Sequence, residues 1–323
     1  NGDVIFIDVS YDDFGNVKQK TLPYSEGDEK IFVKNVYDCF NRLVEVIYPS
    51  DVVKRNMYDG NVVCTEMVSN DGKRHRVTNK YNVMNWLVEA VDAGGNKIKY
   101  EYFCDGLIKY AQIGDNAKTQ ISVTYDNCRN RTSLNDPNYG LTTYEYDAWG
   151  NVKKIKNPKN GVIELQYDMS GRLVGKIEKD DNGKNVNTTR WLYNPEKGKN
   201  GLLNKIISSN DHQIEYIYDE NLRLVESKEM IQGECYSTLY NYDDANRLSS
   251  ITYPSGLCVA KKYSNSGYEK EIIDASDNIV LWRTNDMDAK GHIVDFQYGN
   301  GIDTKISYDV KTSYINNITV VNK

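Results

Sequence analysis

Ile163, Leu165 and Tyr167 occupy every second position of the chain, and so do Ile98, Tyr100 and Tyr102, Ile121, Val123 and Tyr125, and Ile214, Tyr216 and Tyr218. A period of two predicts a strand with one face buried. Each run stops at a tyrosine. A short polar stretch follows, and an aliphatic residue then restarts the pattern. The second run ends at another turn signal, as in NPKNG (157–161), YPSG (253–256), DAGGN (92–96) and DDNG (180–183). The pattern therefore predicts strand, turn, strand, turn, repeated along the chain.

Taking the tyrosine as the start of each unit gives Tyr11, Tyr37, Tyr58, Tyr81, Tyr102, Tyr125, Tyr146, Tyr167, Tyr193, Tyr218, Tyr242, Tyr263 and Tyr308. From Tyr37 to Tyr263 the steps run from 21 to 26 residues, 21 being the commonest. The longer gap before Tyr308 predicts two units with a degenerate opening near Trp282.

Nine of the thirteen tyrosines are followed by aspartate: Asp12, Asp38, Asp59, Asp126, Asp147, Asp168, Asp219, Asp243 and Asp309. A short carboxylate accepts a backbone N–H two residues on and holds a turn. Nine copies of a catalytic acid would make no mechanistic sense. Four residues after tyrosine stand Gly15, Gly106, Gly150, Gly171 and Gly267, or Asn41, Asn85 and Asn246. Glycine and asparagine best tolerate a left-handed backbone, so this column predicts a positive φ that closes a hairpin. Two residues further, seven of the eight copies have an aliphatic side chain, Glu269 being the exception. Tyrosine rings of successive units are expected to stack, since the units differ little in length.

Residues 1–30 then read as a lead-in holding the first copy, and residues 31–323 as one continuous hairpin array that both ends cut through. Some two dozen strands at about 4.8 Å each make a ribbon on the order of 115 Å along its width, which strand twist forces to coil or close. The fold class is all-β, a long curved sheet of consecutive antiparallel hairpins.

The phrases YDMSGRL (167–173), YDCFNRL (37–43), YDDANRL (242–248), YDAWGNV (146–152) and YDDFGNV (11–17) resemble the YD repeats of Rhs proteins and of Tc toxin B and C components. Bacterial wall-associated proteins and teneurins share that repeat, and the resemblance covers essentially the whole chain. YDDFGNVKQKTLPY (11–24) is similar to the phrase that introduces the repeat tract in bacterial toxin-type members. The resemblance implies a segment of a hollow shell that encapsulates a C-terminal toxin or effector domain. It implies neighbouring shell repeats and delivery machinery as partners, and a secreted or cell-surface setting. Self-cleaving members carry a DPxG-type core. NDPNYG (135–140) sits mid-tract at the place of an ordinary turn, so it reads as a turn.

Composition narrows the alternatives. A net charge of −6 without a basic stripe argues against a nucleic-acid partner. No apolar run approaches the roughly 18–20 residues of a membrane-spanning helix. The opening NGDVIFIDVS shows no basic leader, which fits a cytosolic chain, a processed one or a piece of something longer. Tyrosine outnumbers phenylalanine 26 to 6, suiting half-buried strands with one wet edge.

Cys39, Cys64, Cys104, Cys128, Cys235 and Cys258 form no CxxC pair and read as unpaired small hydrophobes. Cys104 and Cys128, at similar places in adjacent repeats, are the one pair worth testing as a disulfide. His75, His212 and His292 have no neighbouring ligands, so neither a metal nor a cofactor is expected. EKDDNG (178–183) and NDMDAKG (285–291) fail as calcium loops at Thr189 and Ala289 respectively. The sequons at Asn130, Asn187 and Asn317 are at chance level, KRHR (73–76) reads as a solvated loop, and Trp86 and Trp149 fall within the hairpin motif.

The expected role is structural and non-catalytic. A carbohydrate- or protein-binding surface module is the alternative, though its usual Gly-Trp and Tyr-Tyr-Phe phrases are missing. An enzyme on a β-helix or propeller fits worse, because odd and even units look alike.

Overall fold

A computed structural model of the chain describes residues 4–196, 198–199 and 201–322. Apart from one 3-10 turn, Ala117–Thr119, its regular structure is all strand. The chain divides into two compact units, Asn1–Gly95 with Leu257–Lys323, and Asn96–Gly256.

In the second unit fourteen strands, from Lys97–Tyr102 to Leu248–Thr252, follow one another as an antiparallel meander. Each is hydrogen-bonded to the next, as Val162–Tyr167 is to Leu173–Lys179. The first unit holds eight such strands from Val9–Tyr11 to Leu87–Val91 and six from Cys258–Tyr263 to Ile315–Asn322. Ile5–Phe6 pairs with Tyr24–Ser25 as a separate ribbon, the rings of Phe6 and Tyr24 lying 5.7 Å apart. Among the described residues Val9–Tyr11 pairs only with Val17–Thr21, and Ile315–Asn322 only with Ile302–Tyr308, so the sheet is not closed.

The pairing contains a feature that the alternation of apolar residues does not announce. Gln166 lies opposite Gly175, but the adjacent Tyr167 lies opposite Leu173, leaving Val174 as an extra residue. The same slip stands beside Tyr37, Tyr102, Tyr146 and Tyr218. A bulge of this kind bends its strand and raises the local right-handed twist. Curvature is thus written into the outgoing strand of the hairpin, at the same place each time.

Almost nothing is fully buried. Val46 and Ile273 are the buried hydrophobic residues among those described, and the exposed area is 21092 Å². A compact globular chain of 37.0 kDa would expose only about 13,600 Å². Whole strands such as Gln213–Tyr218 are half-buried at every position. The sheet is one layer thick, and both its faces meet water. Cohesion comes from backbone ladders and cross-strand side-chain pairs. Glu45, Arg55, Glu66 and Arg76 lie opposite one another across four strands, with Arg55 Nε 2.8 Å from Glu45 and Arg76 3.0 Å from the buried Glu66 carboxylate. Opposite-charge pairs of this type contribute about 0.2–1 kcal/mol each.

Two sequence expectations need correction. The degenerate unit opens at Met287, not near Trp282. Met287 lies opposite Ile293 across a bulge, and Asp288 with Gly291 builds the turn. Trp282 sits inside the strand Ile279–Met287. At Tyr58 the hairpin turns within two residues, Gly60 and Asn61, so Asp59 ends its strand and holds no four-residue turn. All six cysteines are free thiols, Cys104 and Cys128 included, both of them exposed.

Candidate functional site: the tyrosine-aspartate turns

In a meander, alternate turns fall on opposite edges of the sheet, so the tyrosine-aspartate turns of each unit share one edge. The column that predicts a left-handed backbone has it throughout. Gly15, Gly106, Gly150, Gly171 and Gly267 have φ of 84°, 86°, 86°, 76° and 90°, and Asn41, Asn85 and Asn246 have 65°, 61° and 62°. Copies that lack glycine or asparagine adopt the same conformation: Arg129 has φ 68° and Leu222 φ 65°. The turn thus imposes the backbone, and residue choice only sets its cost. The unit at Tyr308 is one residue longer, with Ser313 at φ 61°. That at Tyr193 opens into a longer loop in which the Asn194 N–H donates to Leu202.

Each aspartate does more than accept one N–H. In Asp168, Oδ1 accepts the backbone N–H groups of Ser170 and Arg172 at 2.9 and 3.0 Å, while Oδ2 accepts from Arg172 Nε at 2.7 Å. Asp38 holds Phe40 and Arg42 in the same way. Asp12, Asp126 and Asp147 use Asn16, Asn130 and Asn151 as the side-chain partner. Asp219 and Asp243 use Arg223 and Arg247, and Asp288 uses His292. Asp309 takes the N–H groups of Lys311 and Thr312. Asn82 replaces the carboxylate at Tyr81, accepting from Met84 and Trp86. At Tyr263 the turn is held by Ser264, whose hydroxyl accepts from the Tyr268 N–H.

This fourth-residue partner is a functional column that the sequence reading missed. Its signal was present in the recurring Asn-Val and Arg-Leu pairs. The partner also reaches the next unit. The Arg42, Arg172 and Arg223 guanidiniums lie 4.3, 4.4 and 4.8 Å from the ring centres of Tyr58, Tyr193 and Tyr242. His292 stacks on Tyr308 at 4.5 Å. At these four places the expected stack of tyrosine on tyrosine is replaced by a cation or imidazole on tyrosine, because the carboxylate holds that group over the next ring.

The tyrosine hydroxyl completes the link. Tyr167 Oη donates to the Val152 carbonyl at 3.0 Å, Tyr193 to Leu173 at 3.0 Å, Tyr218 to Leu203 at 2.9 Å and Tyr242 to Leu224 at 2.8 Å. Tyr37, Tyr58 and Tyr146 donate likewise to Val17, Leu43 and Arg131. In each case the acceptor is the first residue of the preceding outgoing strand. Phenylalanine would fill the space and remove that donor from the carbonyl. The tyrosine excess therefore has a specific cause.

Hydrogen bonding holds the turn carboxyls below the ordinary aspartate range. The Asn16, Asn130, Asn151 and Arg172 side chains are the main cause at Asp12, Asp126, Asp147 and Asp168. The Arg42, Arg223 and Arg247 backbone N–H groups lead at Asp38, Asp219 and Asp243. A carboxyl that binds its proton less tightly in the folded chain adds stability above its unfolded value near 3.8, and loses it as the pH falls through the folded value. Stability is therefore expected to hold from neutral pH down to about 5 and to fall below about 4. A circular dichroism titration checks this. Replacing Asp147, Asp168 and Asp219 by asparagine, which holds the turn at Asn157 through the same two N–H contacts, should flatten the acid transition. An unchanged transition would remove these carboxyls from the cause.

The polar stretches considered as calcium loops are also turns. Asp180 accepts from the N–H groups of Asn182 and Lys184, and Asp288 from those of Lys290 and His292. Among the described residues no group of three or more His, Cys, Asp or Glu is placed to hold a metal ion. No helix among them is long and apolar enough to cross a membrane. These contacts lock the hairpins at their turns and fasten those of Tyr37, Tyr58, Tyr146, Tyr167, Tyr193, Tyr218 and Tyr242 to the ones before.

No protein-family model matches the chain, and no curated protein does. Solved structures match over nearly all of it. The crystal structure of TcdB2-TccC3 has a TM-score of 0.85 at 15% identity, covering 97% of this chain and 18% of that one. TcdB2-TccC3 without its hypervariable C-terminal region gives 0.84 at 14% identity, with the same coverage. A Photorhabdus luminescens Tc holotoxin pore gives 0.84 at 15%, again covering 97% and 18%. The chain spans under a fifth of the length of these matched chains, and at such identities the likeness is one of fold: a long antiparallel hairpin sheet of the type present in the Tc toxin TcdB2-TccC3 complex.

Proposed function

We propose that this chain is a non-catalytic wall segment of an Rhs-type shell that encloses a C-terminal effector domain, in a protein exported by a toxin delivery system. The observation that carries the reading is a one-layer sheet, wet on both faces, that follows the TcdB2-TccC3 fold over 97% of its length. A wall needs this construction. It must separate two aqueous spaces without a core of its own, and it must extend by adding hairpins. The turn edge supports the reading, because Tyr37, Tyr58, Tyr146, Tyr167, Tyr193, Tyr218 and Tyr242 each fasten their hairpin to the one before. A C-terminal cargo is supported by the hypervariable C-terminal region named for TcdB2-TccC3.

The test is limited proteolysis of the protein encoded by the whole reading frame. Its C-terminal domain should resist protease until the wall is opened with mild denaturant, and should be cut at once when expressed alone. Equal cleavage in both settings, or electron micrographs of a solid compact particle, would overturn the reading.

A further inference from the structure

The junction before the unit that opens at Met287 lacks three parts of the usual link. Ser264 stands where aspartate holds the preceding turn, Glu269 replaces the aliphatic residue, and Met287 has no hydroxyl to donate. Glu269 opens its outgoing strand, so its carbonyl has the place of the Val152 and Leu173 carbonyls. The Thr284 hydroxyl reaches it at 3.5 Å, against 3.0 Å for the tyrosine bonds to those two. The strand Ile279–Met287 also slips its register on both sides, leaving Leu281 and Asn285 as extra residues that interrupt the ladder. Beyond the second slip Asp286 lies opposite Asp295, a like-charge pair that opposes pairing. The strands Glu269–Asp274 and Ile279–Met287 therefore meet at a weak seam.

The lead-in ribbon lies along this seam, within the same compact unit. A cleft of about 230 Å³ has Leu22, Pro23 and Ile31 on one side and Ala289, Tyr308 and Val310 on the other. A second, of about 340 Å³, places Ile5 and Ser25 beside Ser264, Tyr268 and Met287. The ribbon thus runs past three successive turns and partly covers them. Val310 and Met169 each follow the aspartate of their turn, yet Val310 is 63% exposed and Met169 102%. Ala289 is half-buried, whereas Ala148 at the same place in its turn is exposed. The ribbon is itself anchored to the sheet. The Thr21 N–H donates to the Asp8 carbonyl at 2.9 Å, and the Asp8 carboxylate accepts from Tyr24 Oη at 3.0 Å and Lys30 Nζ at 2.7 Å.

We infer that residues 5–31 form a strap that holds this seam shut, and that lifting the strap lets the strands Glu269–Asp274 and Ile279–Met287 part locally. The strap supplies across the turns the cohesion that the seam lacks between its strands. The inference rests on the hairpin geometry alone and does not depend on the shell reading.

Hydrogen exchange of the 323-residue chain, read by mass spectrometry, tests it. The reference is Glu234–Tyr242, whose tyrosine donates to the Leu224 carbonyl at 2.8 Å. In the parent, amides of Ile279–Met287 should exchange about two- to tenfold faster than those of the reference. Ala289→Glu with Val310→Glu sets two new carboxylates beside Asp28 and Glu29, which line the same cleft, and should lift the strap. Exchange in Ile279–Met287 should then rise a further fivefold or so, with the reference unchanged. Ala148→Glu with Met169→Glu places the same charges on turns of the second unit and should leave exchange there as it was. Met287→Tyr with Ser264→Asp restores the missing parts and should remove both the excess exchange and its response to the strap charges. A seam that exchanges no faster than the reference would overturn the inference. So would strap charges without effect, or with an equal effect across the whole first unit. An equal response to the control charges, or a restored seam that still responds, would overturn it too.

Discussion

A chain carrying Gly150→Val and Gly171→Val is expected to unfold about 2–4 kcal/mol more easily than its parent, while asparagine at both positions costs little. Both glycines have φ near 80°, 86° and 76°, where a branched side chain is sterically opposed. Space is not the reason. A Cβ built at Gly171 meets nothing within 4 Å, and one at Gly150 meets only the Asn130 side chain at 3.8 Å. The loss is therefore one of backbone, and asparagine already tolerates the same conformation at Asn41 and Asn246. The converse change supports the same argument. Leu222 adopts φ 65° with a branched side chain that is 47% exposed, so Leu222→Gly should stabilise by up to about 1 kcal/mol. Urea unfolding of the variants checks all of this. Equal stability of the valine and asparagine variants would show that the turn relaxes to another conformation.

Replacing Tyr146, Tyr167, Tyr193, Tyr218 and Tyr242 together by phenylalanine should cost roughly 3–7 kcal/mol, since each hydroxyl-to-carbonyl bond contributes about 0.5–1.5 kcal/mol. The rings remain, so the apolar contacts and the Arg172 and Arg223 positions over Tyr193 and Tyr242 remain too. What disappears is the bond from each of these hairpins to the one before it, with the Arg131, Val152, Leu173, Leu203 and Leu224 carbonyls left to water. The links are spread along the sheet, so losses should add in proportion to the number of tyrosines changed. The same substitutions at Tyr37 and Tyr58 should cost less. There Asn35 and Asn56 also donate to the Val17 and Leu43 carbonyls, at 2.9 and 3.0 Å. Five substitutions with no net loss would leave the tyrosine excess unexplained.

Most of the fold was legible from three columns. Tyrosine, aspartate and the glycine or asparagine four places on located the hairpins, because a strict turn geometry accepts few residue types. What escaped was whatever the turn imposes regardless of residue, or whatever lies between units. Arg129 and Leu222 break the residue rule yet obey the conformation. The opening at Met287 was placed instead near Trp282 because an aromatic ring marks the other copies, while the bulge opposite Ile293 needs only a strand ending there. Tyr58-Asp59 had the right letters and a different turn, since Gly60 follows at once. The hydroxyl bonds and the groups covering the rings connect residues 15 to 21 positions apart, a separation at which letters alone give no partner.

Because these seven tyrosine hydroxyls each reach back a single hairpin, the array carries no memory of its total length. A duplicated or deleted block of whole repeats presents the same donor to the same acceptor at the new junction, so change in gene length is absorbed rung by rung. A sheet built on this rule can be resized by ordinary recombination, without refitting any surface beyond the splice.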